Sequence, residues 1–243
     1  MINLMLGDCL ERMKEIPDGS VDMILCDLPY GTTACKWDVV IPFEPLWSHY
    51  KRIIKDRGAI VLFGNQPFTT LLIASNIDWF SYEWIYEKTN AKNPMLAKYK
   101  PLGSHESVII FSRKGLPVYY PIMWEVPTYL ITRRKSMTEK STGEAYGGKP
   151  TTRRAEDQTR FPTSVIGFSN RVGRLGNFHP TQKPVALMEY LIKTYTNEGE
   201  TVLDNCMGSG TVGVACKNLN RKFIGIEKDE TYFKIAQDRI AAI

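Results

Sequence analysis

Apolar and polar positions along this chain follow two periods in turn. Runs rich in aliphatic, β-branched or aromatic residues at strand length occupy 3–6, 21–26, 59–63, 80–87, 106–113, 201–203 and 223–226. Stretches with helical spacing occupy 8–15, 43–55, 67–76, 185–196, 210–218 and the segment from 230 onward. Asp8 stands where a helix N-cap is expected, and the Arg57-Gly58 pair reads as the close of the helix over 43–55. A polar stretch rich in Lys and Asn separates the strands at 80–87 and 106–113, and its part 86–94 reads as a connection or a lid. No repeat appears. Strand and helix alternation of this kind predicts an α/β fold with a mostly parallel, doubly wound sheet and helices on both faces, whose ligands sit at the carboxyl ends of the strands.

Composition narrows the class. With 243 residues, 43% hydrophobic and 23% charged, the chain has enough apolar content for a full core and is neither fibrous nor low-complexity. No apolar run approaches the roughly 20 residues of a membrane span. The first residues, MINLMLGDCL, have no basic region ahead of an apolar one, so no secretory leader is expected. Five cysteines, at 9, 26, 35, 206 and 216, form no CxxC pair, which suggests a reducing cytoplasm rather than a disulfide framework or a zinc site. His49 and His105 lack ligand spacing, and no metal is expected.

The net charge of +5 is unevenly placed. Residues 113–174 hold 12 Lys and Arg against 5 Asp and Glu, leaving 19 against 21 elsewhere. Arg133, Arg134, Lys135, Arg153 and Arg154 cluster there with interspersed tyrosines and tryptophan, a composition suited to phosphates and unstacked bases.

Two constellations carry chemistry. The segment TVLDNCMGSGTVGVACKNLNRKFIGIE runs strand, glycine turn, helix, strand, with Asp204 at the end of the first strand and Glu227, 19 residues beyond Gly208, at the end of the second. Glycines at such a turn admit a ligand close to the backbone, and the distal carboxylate suits a ribose diol. The GSGT sequence departs from GxGxxG, so a dinucleotide pyrophosphate is not demanded. The second constellation is DLPY at 27–30, closing an apolar strand. Asp27 and the Leu28 carbonyl offer acceptors for a planar amine, Pro29 stiffens the turn and Tyr30 offers a stacking face, which together would orient the amine lone pair toward an electrophile. Trp37 lies close enough in sequence to line the same pocket.

DLPY early, DNCMGSGT late and FHPTQKPVALMEYLI between them resemble the β class of S-adenosylmethionine (SAM)-dependent DNA amino-methyltransferases, over nearly the whole chain. The resemblance implies a Rossmann-like methyltransferase sheet in circularly permuted motif order, with a catalytic half over 1–113, a target-recognition insertion over 114–177 and a cofactor half over 178–243. It implies that Asp27, Leu28, Pro29 and Tyr30 bind and orient the target base. Asp204, Cys206, Gly208, Ser209, Gly210 and Thr211 would form the cofactor turn, and Glu227 would hold the ribose. Asp8, with Cys9 beside it, would meet the adenine of SAM, and Lys183 within His179-Pro-Thr-Gln-Lys-Pro184 would pair with its carboxylate, with Asp27 bordering the cofactor as well. Arg133, Arg134, Lys135, Arg153 and Arg154 would contact DNA. Leu28 replaces the family's usual proline and Cys206 its usual phenylalanine.

The resemblance also implies base flipping and direct in-line methyl transfer to adenine N6, yielding S-adenosylhomocysteine, in a bacterial or phage-infected cytoplasm and without a metal. The acidic first residue of DLPY resembles the adenine group, with a cytosine-N4 enzyme as the alternative and an inactive DNA-binding subunit as the alternative outside the class. DNA is the implied partner, no membrane is involved, and a homodimer is in keeping with similar enzymes.

Overall fold

The computed structural model describes residues 1–32, 38–92, 94–125, 159–170 and 182–243. Contacts divide the chain into two compact units, Met1–Tyr120 with Ser164–Ile243, and Pro121–Thr163. In the smaller unit the described residues pair two short antiparallel strands, β6 (Trp124–Glu125) and β7 (Thr159–Arg160), through Trp124↔Arg160 and Glu125↔Thr159.

The described residues of the larger unit form a sheet of eight strands flanked by helices: β1 (Ile2–Leu6), β2 (Val21–Cys26), β3 (Ile54–Gly64), β4 (Phe80–Lys92), β5 (Gly103–Phe111), β8 (Val165–Phe168), β9 (Thr201–Asp204) and β10 (Lys222–Glu227), in the order β1-β10-β9-β2-β3-β5-β4-β8. The first five in that order are parallel, so their carboxyl ends share one edge. β5 runs antiparallel to β3 and β4 antiparallel to β5, which brings the start of β5 and the far end of β4 to the same edge. The antiparallel pair arises from its connection: a single 3-10 turn at Pro94–Leu96 lies within the β4–β5 link, too little chain for the helical crossover that parallel strands need.

The period-two pattern assigns alternate side chains to opposite faces. Met23, Leu25, Val61, Phe63, Val108 and Ile110 pack with helices α4 (Val185–Tyr195), α5 (Thr211–Asn218) and α6 (Glu230–Ala241). Ile24, Cys26, Ile60, Leu62, Ile109 and Phe111 pack with α1 (Cys9–Arg12), α2 (Phe43–Ile53) and α3 (Phe68–Ala74). On α2, Leu46, Trp47, Tyr50 and Ile53 are buried at helical spacing. At about 25 cal/mol per Å² of apolar surface, these two layers supply the main stabilisation of the sheet.

Three boundaries differ from the sequence expectation. The helix expected over 43–55 ends at Ile53, because Ile54 already pairs with Val21 and β3 starts there. The helix expected over 8–15 tightens into a 3-10 turn after Arg12. The stretch 86–94, read as a loop or lid, is β4 as far as Lys92: Tyr86, Glu87 and Lys88 pair with Ile166, Gly167 and Phe168 of β8, and Asn170 bonds the backbone of Asn90 on both sides at 2.9 Å. The span 114–177, assigned from sequence to an insertion, thus contains an edge strand of the main sheet.

Candidate active site

The edge where the strands end opens into a cleft of about 1460 Å³. That exceeds the roughly 300–1,000 Å³ of a pocket for one small molecule, giving room for two. Its wall is built, strand by strand, from Asp8 beyond β1, Glu227 ending β10, Asp204 ending β9, Asp27 beyond β2, Asn65 beyond β3 and Glu106 within β5.

The β9–α5 turn forms one half. Gly208 and Gly210 have φ of +51° and +79°, the left-handed region that L side chains rarely enter. Gly210 opens α5, and its amide donates to the Met207 carbonyl at 2.8 Å. Glu227 holds this turn to the β10 exit: Oε2 accepts from the Gly208 amide, and Oε1 from the amides of Lys228 and Asp229, all at 2.8 Å. The Ser209 hydroxyl accepts from Arg239 of α6 at 2.9 Å, tying the turn to that helix. Thr211 is buried and borders the cleft. Asp8 caps α1 through the Leu10 amide at 3.0 Å and faces the Lys228 ammonium at 3.3 Å.

Asp204 is 4% exposed and accepts the Cys206 amide at 3.1 Å. Burial pushes its carboxyl up from the ordinary 3.8 to about 7. Below pH 3.8 both the folded and the unfolded chain hold this proton and no penalty exists. As pH rises toward 7 the unfolded chain ionises the group while the folded chain keeps it neutral, so stability falls across that window and stays lower above it. At 1.36 kcal/mol per pH unit the penalty reaches about 4 kcal/mol. Asp204→Asn is therefore expected to raise the melting temperature at about pH 8 and to give no gain at about pH 4, as thermal unfolding at the two pH values would read.

Cys9, Cys26 and Cys206 border the same region. Burial lifts the Cys26 thiol to about 12, the hydrogen bond with Cys206 raises Cys9, and the hydrogen bond with Cys26 raises Cys206. Protonated thiols are poor nucleophiles, which leaves these as packing groups.

The second half centres on Asp27. Its Oδ1 accepts from the Tyr30 hydroxyl at 2.6 Å, and its Oδ2 meets the Lys183 ammonium at 2.5 Å. Leu28 is buried, Pro29 lines the cleft, and the Tyr30 ring lies 4.9 Å from that of Phe68 at 33°. Burial raises the Tyr30 hydroxyl well above the ordinary value and keeps it a donor. Past the turn, both oxygens of buried Asp38 accept backbone amides, from Gly31 and Thr32 at 2.9 Å, which fixes the exit of the DLPY segment.

Lys183, just ahead of α4, also faces Glu106 at 3.5 Å and lies 4.9 Å over the Phe63 ring. Burial works against its charge, but Asp27 and Glu106 outweigh burial and hold the ammonium above the ordinary lysine value.

Matches to known proteins decide the family. A DNA methylase family model, covering N6 and N4 amino-methylating enzymes, matches residues 21–238. The chain belongs to this DNA methylase family. The type II methyltransferase M.HpaI of Haemophilus parainfluenzae is 26% identical over 98% of this chain and 73% of its own length. Among solved structures, the M1.HpyAVI–SAM complex matches with a TM-score of 0.67 and 24% identity over 99% of both chains. The cytosine-N4-specific PvuII DNA methyltransferase matches with a TM-score of 0.68 and 16% identity over 98% of this chain and 86% of that one. The fold is thus shared with these methyltransferases, and this chain is a DNA methylase of the N6/N4 type.

In this methyltransferase the motif residues Asp8, Cys9, Asp27–Tyr30, Lys183, Asp204, Cys206, Gly208, Ser209, Thr211 and Glu227 all border one cleft, with Gly210 in the backbone of the turn. His179, Trp37, Arg133, Arg134, Lys135, Arg153 and Arg154 lie outside the described residues. The sequence reading missed Asp38, Asn65, Lys88 and Glu106. A charged residue inside an apolar strand pattern was the available signal for Glu106, which sits in GSHESVIIF, but one such residue reads equally as a solvent-facing position. Among the described residues, no group of His, Cys, Asp and Glu is arranged to hold a metal, and no helix is long and apolar enough to cross a membrane.

Proposed function

We propose that this DNA methyltransferase transfers the methyl group of SAM to the exocyclic N6 amine of adenine, with the base rotated out of the duplex into the Asp27 half of the cleft. The observation that carries the reading is a carboxylate and an aromatic ring, Asp27 and Tyr30, at the end of β2, facing the same cleft as the glycine turn.

The cofactor half suits SAM in its donor set. SAM carries a sulfonium and an ammonium, and the acidic side chains of Asp8 and Glu227 border that end of the cleft, with the Asp204 carboxyl, held neutral up to about pH 7 by burial, beside them. Gly208 and Gly210 put no side chain at their two positions of the turn, Glu227 has one lone pair left, on Oε2, to accept a ribose hydroxyl, Asp8 and Cys9 border the adenine region, and Thr211 and Cys206 complete the wall. SAM supplies an electrophilic methyl carbon on a positively charged sulfur.

The chain's own residues do the rest. Asp27 and the Leu28 carbonyl accept hydrogen bonds from the amine and turn its lone pair toward the methyl group, while Pro29 and Asp38 hold the turn and Tyr30 stacks on the base. The amine nitrogen would bond the methyl carbon that SAM supplies, the carbon–sulfur bond breaking with its electron pair left on sulfur. The amine then sheds one proton, for which Asp27 is the nearest acceptor. The basic stretch with Arg133, Arg134, Lys135, Arg153 and Arg154 provides cations for the DNA phosphates and guanine edges.

The preference for adenine rests on the acidic first residue of DLPY. Expression in a host without DNA methylation, followed by digestion of its DNA and mass spectrometry of the nucleosides, is expected to give N6-methyldeoxyadenosine. N4-methyldeoxycytidine in its place would overturn the choice of base.

A further inference from the structure

Glu106 has no task in the proposed methyl transfer, yet its carboxylate is 4% exposed and sits among cations. Its Oε1 accepts from Asn65 at 3.0 Å and meets Lys88 at 3.1 Å, and its Oε2 faces Lys183 at 3.5 Å. The sheet explains the gathering. Ser107 pairs with Gly64, placing Glu106 beside Asn65, and Tyr86 pairs with Glu106, placing Lys88 two residues on along the same face. Asp27, Lys183, Glu106 and Lys88 then alternate in sign from the end of β2 to β4.

The alternation gives Lys183 two anionic partners. In this arrangement it lies nearer Asp27, at 2.5 Å, than Glu106, at 3.5 Å. Methyl transfer creates a difficulty there, because the attacking amine nitrogen gains positive charge beside Asp27. An ammonium held on that carboxylate occupies an acceptor the amine needs and repels the charge that develops.

We propose that Glu106 is a positioning residue for methyl transfer: it draws Lys183 away from Asp27 as the target amine arrives, freeing a carboxylate oxygen and removing a cation from the reacting nitrogen. Lys88 and Asn65 hold Glu106 in place for this. The inference rests on the proposed role of Asp27 as acceptor for the target amine.

The test compares the full-length wild type with Glu106→Gln, Lys88→Met, the double variant Glu106→Gln/Lys88→Met, and Asp27→Asn. Each is measured for kcat and KM with DNA, Kd for SAM, and melting temperature. Glu106→Gln is expected to lower kcat/KM for DNA by about 10- to 100-fold, as for a lost charge-assisted contact. Its Kd for SAM should stay within about threefold. The double variant removes one anion and one cation together, so it is expected to regain thermal stability over Glu106→Gln while kcat/KM stays low.

A merely structural role for Glu106 predicts that activity returns with stability in the double variant, and that result would overturn the inference. So would wild-type kcat/KM in Glu106→Gln. Asp27→Asn separates the two levels: if it stays active, the reading of the site fails and this inference with it, whereas an inactive Asp27→Asn beside a fully active Glu106→Gln removes the inference alone.

Discussion

Asp27→Asn is expected to leave SAM binding within a few-fold of wild type and to slow methyl transfer by about 10³-fold or more, the scale of losing a positioned acceptor at a reacting amine. The substitution keeps the shape and one acceptor oxygen for the Tyr30 hydroxyl, so the turn persists. What it removes is the anion: the amide nitrogen cannot accept from the target amine, nor take its proton. Lys183 keeps Glu106 as a partner, which limits the loss of stability to about 1–3 kcal/mol. The combination to look for is a folded protein that binds cofactor and DNA yet turns over at a small fraction of the wild-type rate.

Gly210→Val is expected to act on the cofactor side and on folding together. Gly210 has φ of +79°, which a β-branched residue adopts only under strain. A Cβ there would lie 2.9 Å from the Ala236 Cβ and 3.0 Å from its Cα, and neither atom is the end of a flexible side chain. Strain and overpacking together give a loss of about 3 kcal/mol or more. For a chain of this size that lowers the melting temperature by roughly 6–12 °C. Because relief of the clash must move the turn away from α6, the amide geometry at Gly208 and Glu227 shifts as well, and affinity for SAM should fall at least about 30-fold. Calorimetric titration below the melting temperature separates the two effects.

Much of the fold was legible in the sequence because the strands are apolar runs bounded by turn chemistry and the helices carry apolar stripes. VDMILC and TVLD, for instance, admit little besides buried parallel strands. The antiparallel β4–β5 pair was not legible, since direction depends on what the connection can span rather than on the strands themselves. The continuation of β4 to Lys92 was hidden for a related reason: Lys88 and Asn90 read as loop residues until β8 and Asn170 supply their partners.

The site divides in the same way. Asp27, Tyr30, Gly208, Gly210 and Glu227 lie in short local patterns whose spacing has a chemical reason. Asp38 clamps the DLPY exit, while Glu106 and Lys88 are brought to the cleft by strand order alone. Lys183 was named through the family resemblance as a partner for the cofactor's carboxylate, and its placement between two carboxylates of the chain itself required the fold.

The path of the methyl group is where direct transfer at Asp27 is tested most sharply. Enzyme preloaded with methyl-labelled SAM, mixed with DNA and quenched through a single turnover, reports where the label resides at each time. Direct transfer predicts that the label passes from SAM to an adenine amine with none on the protein at any time, and that in Asp27→Asn it stays on SAM. Label accumulating on the protein before it reaches DNA, or transfer by Asp27→Asn at the wild-type rate, would contradict it.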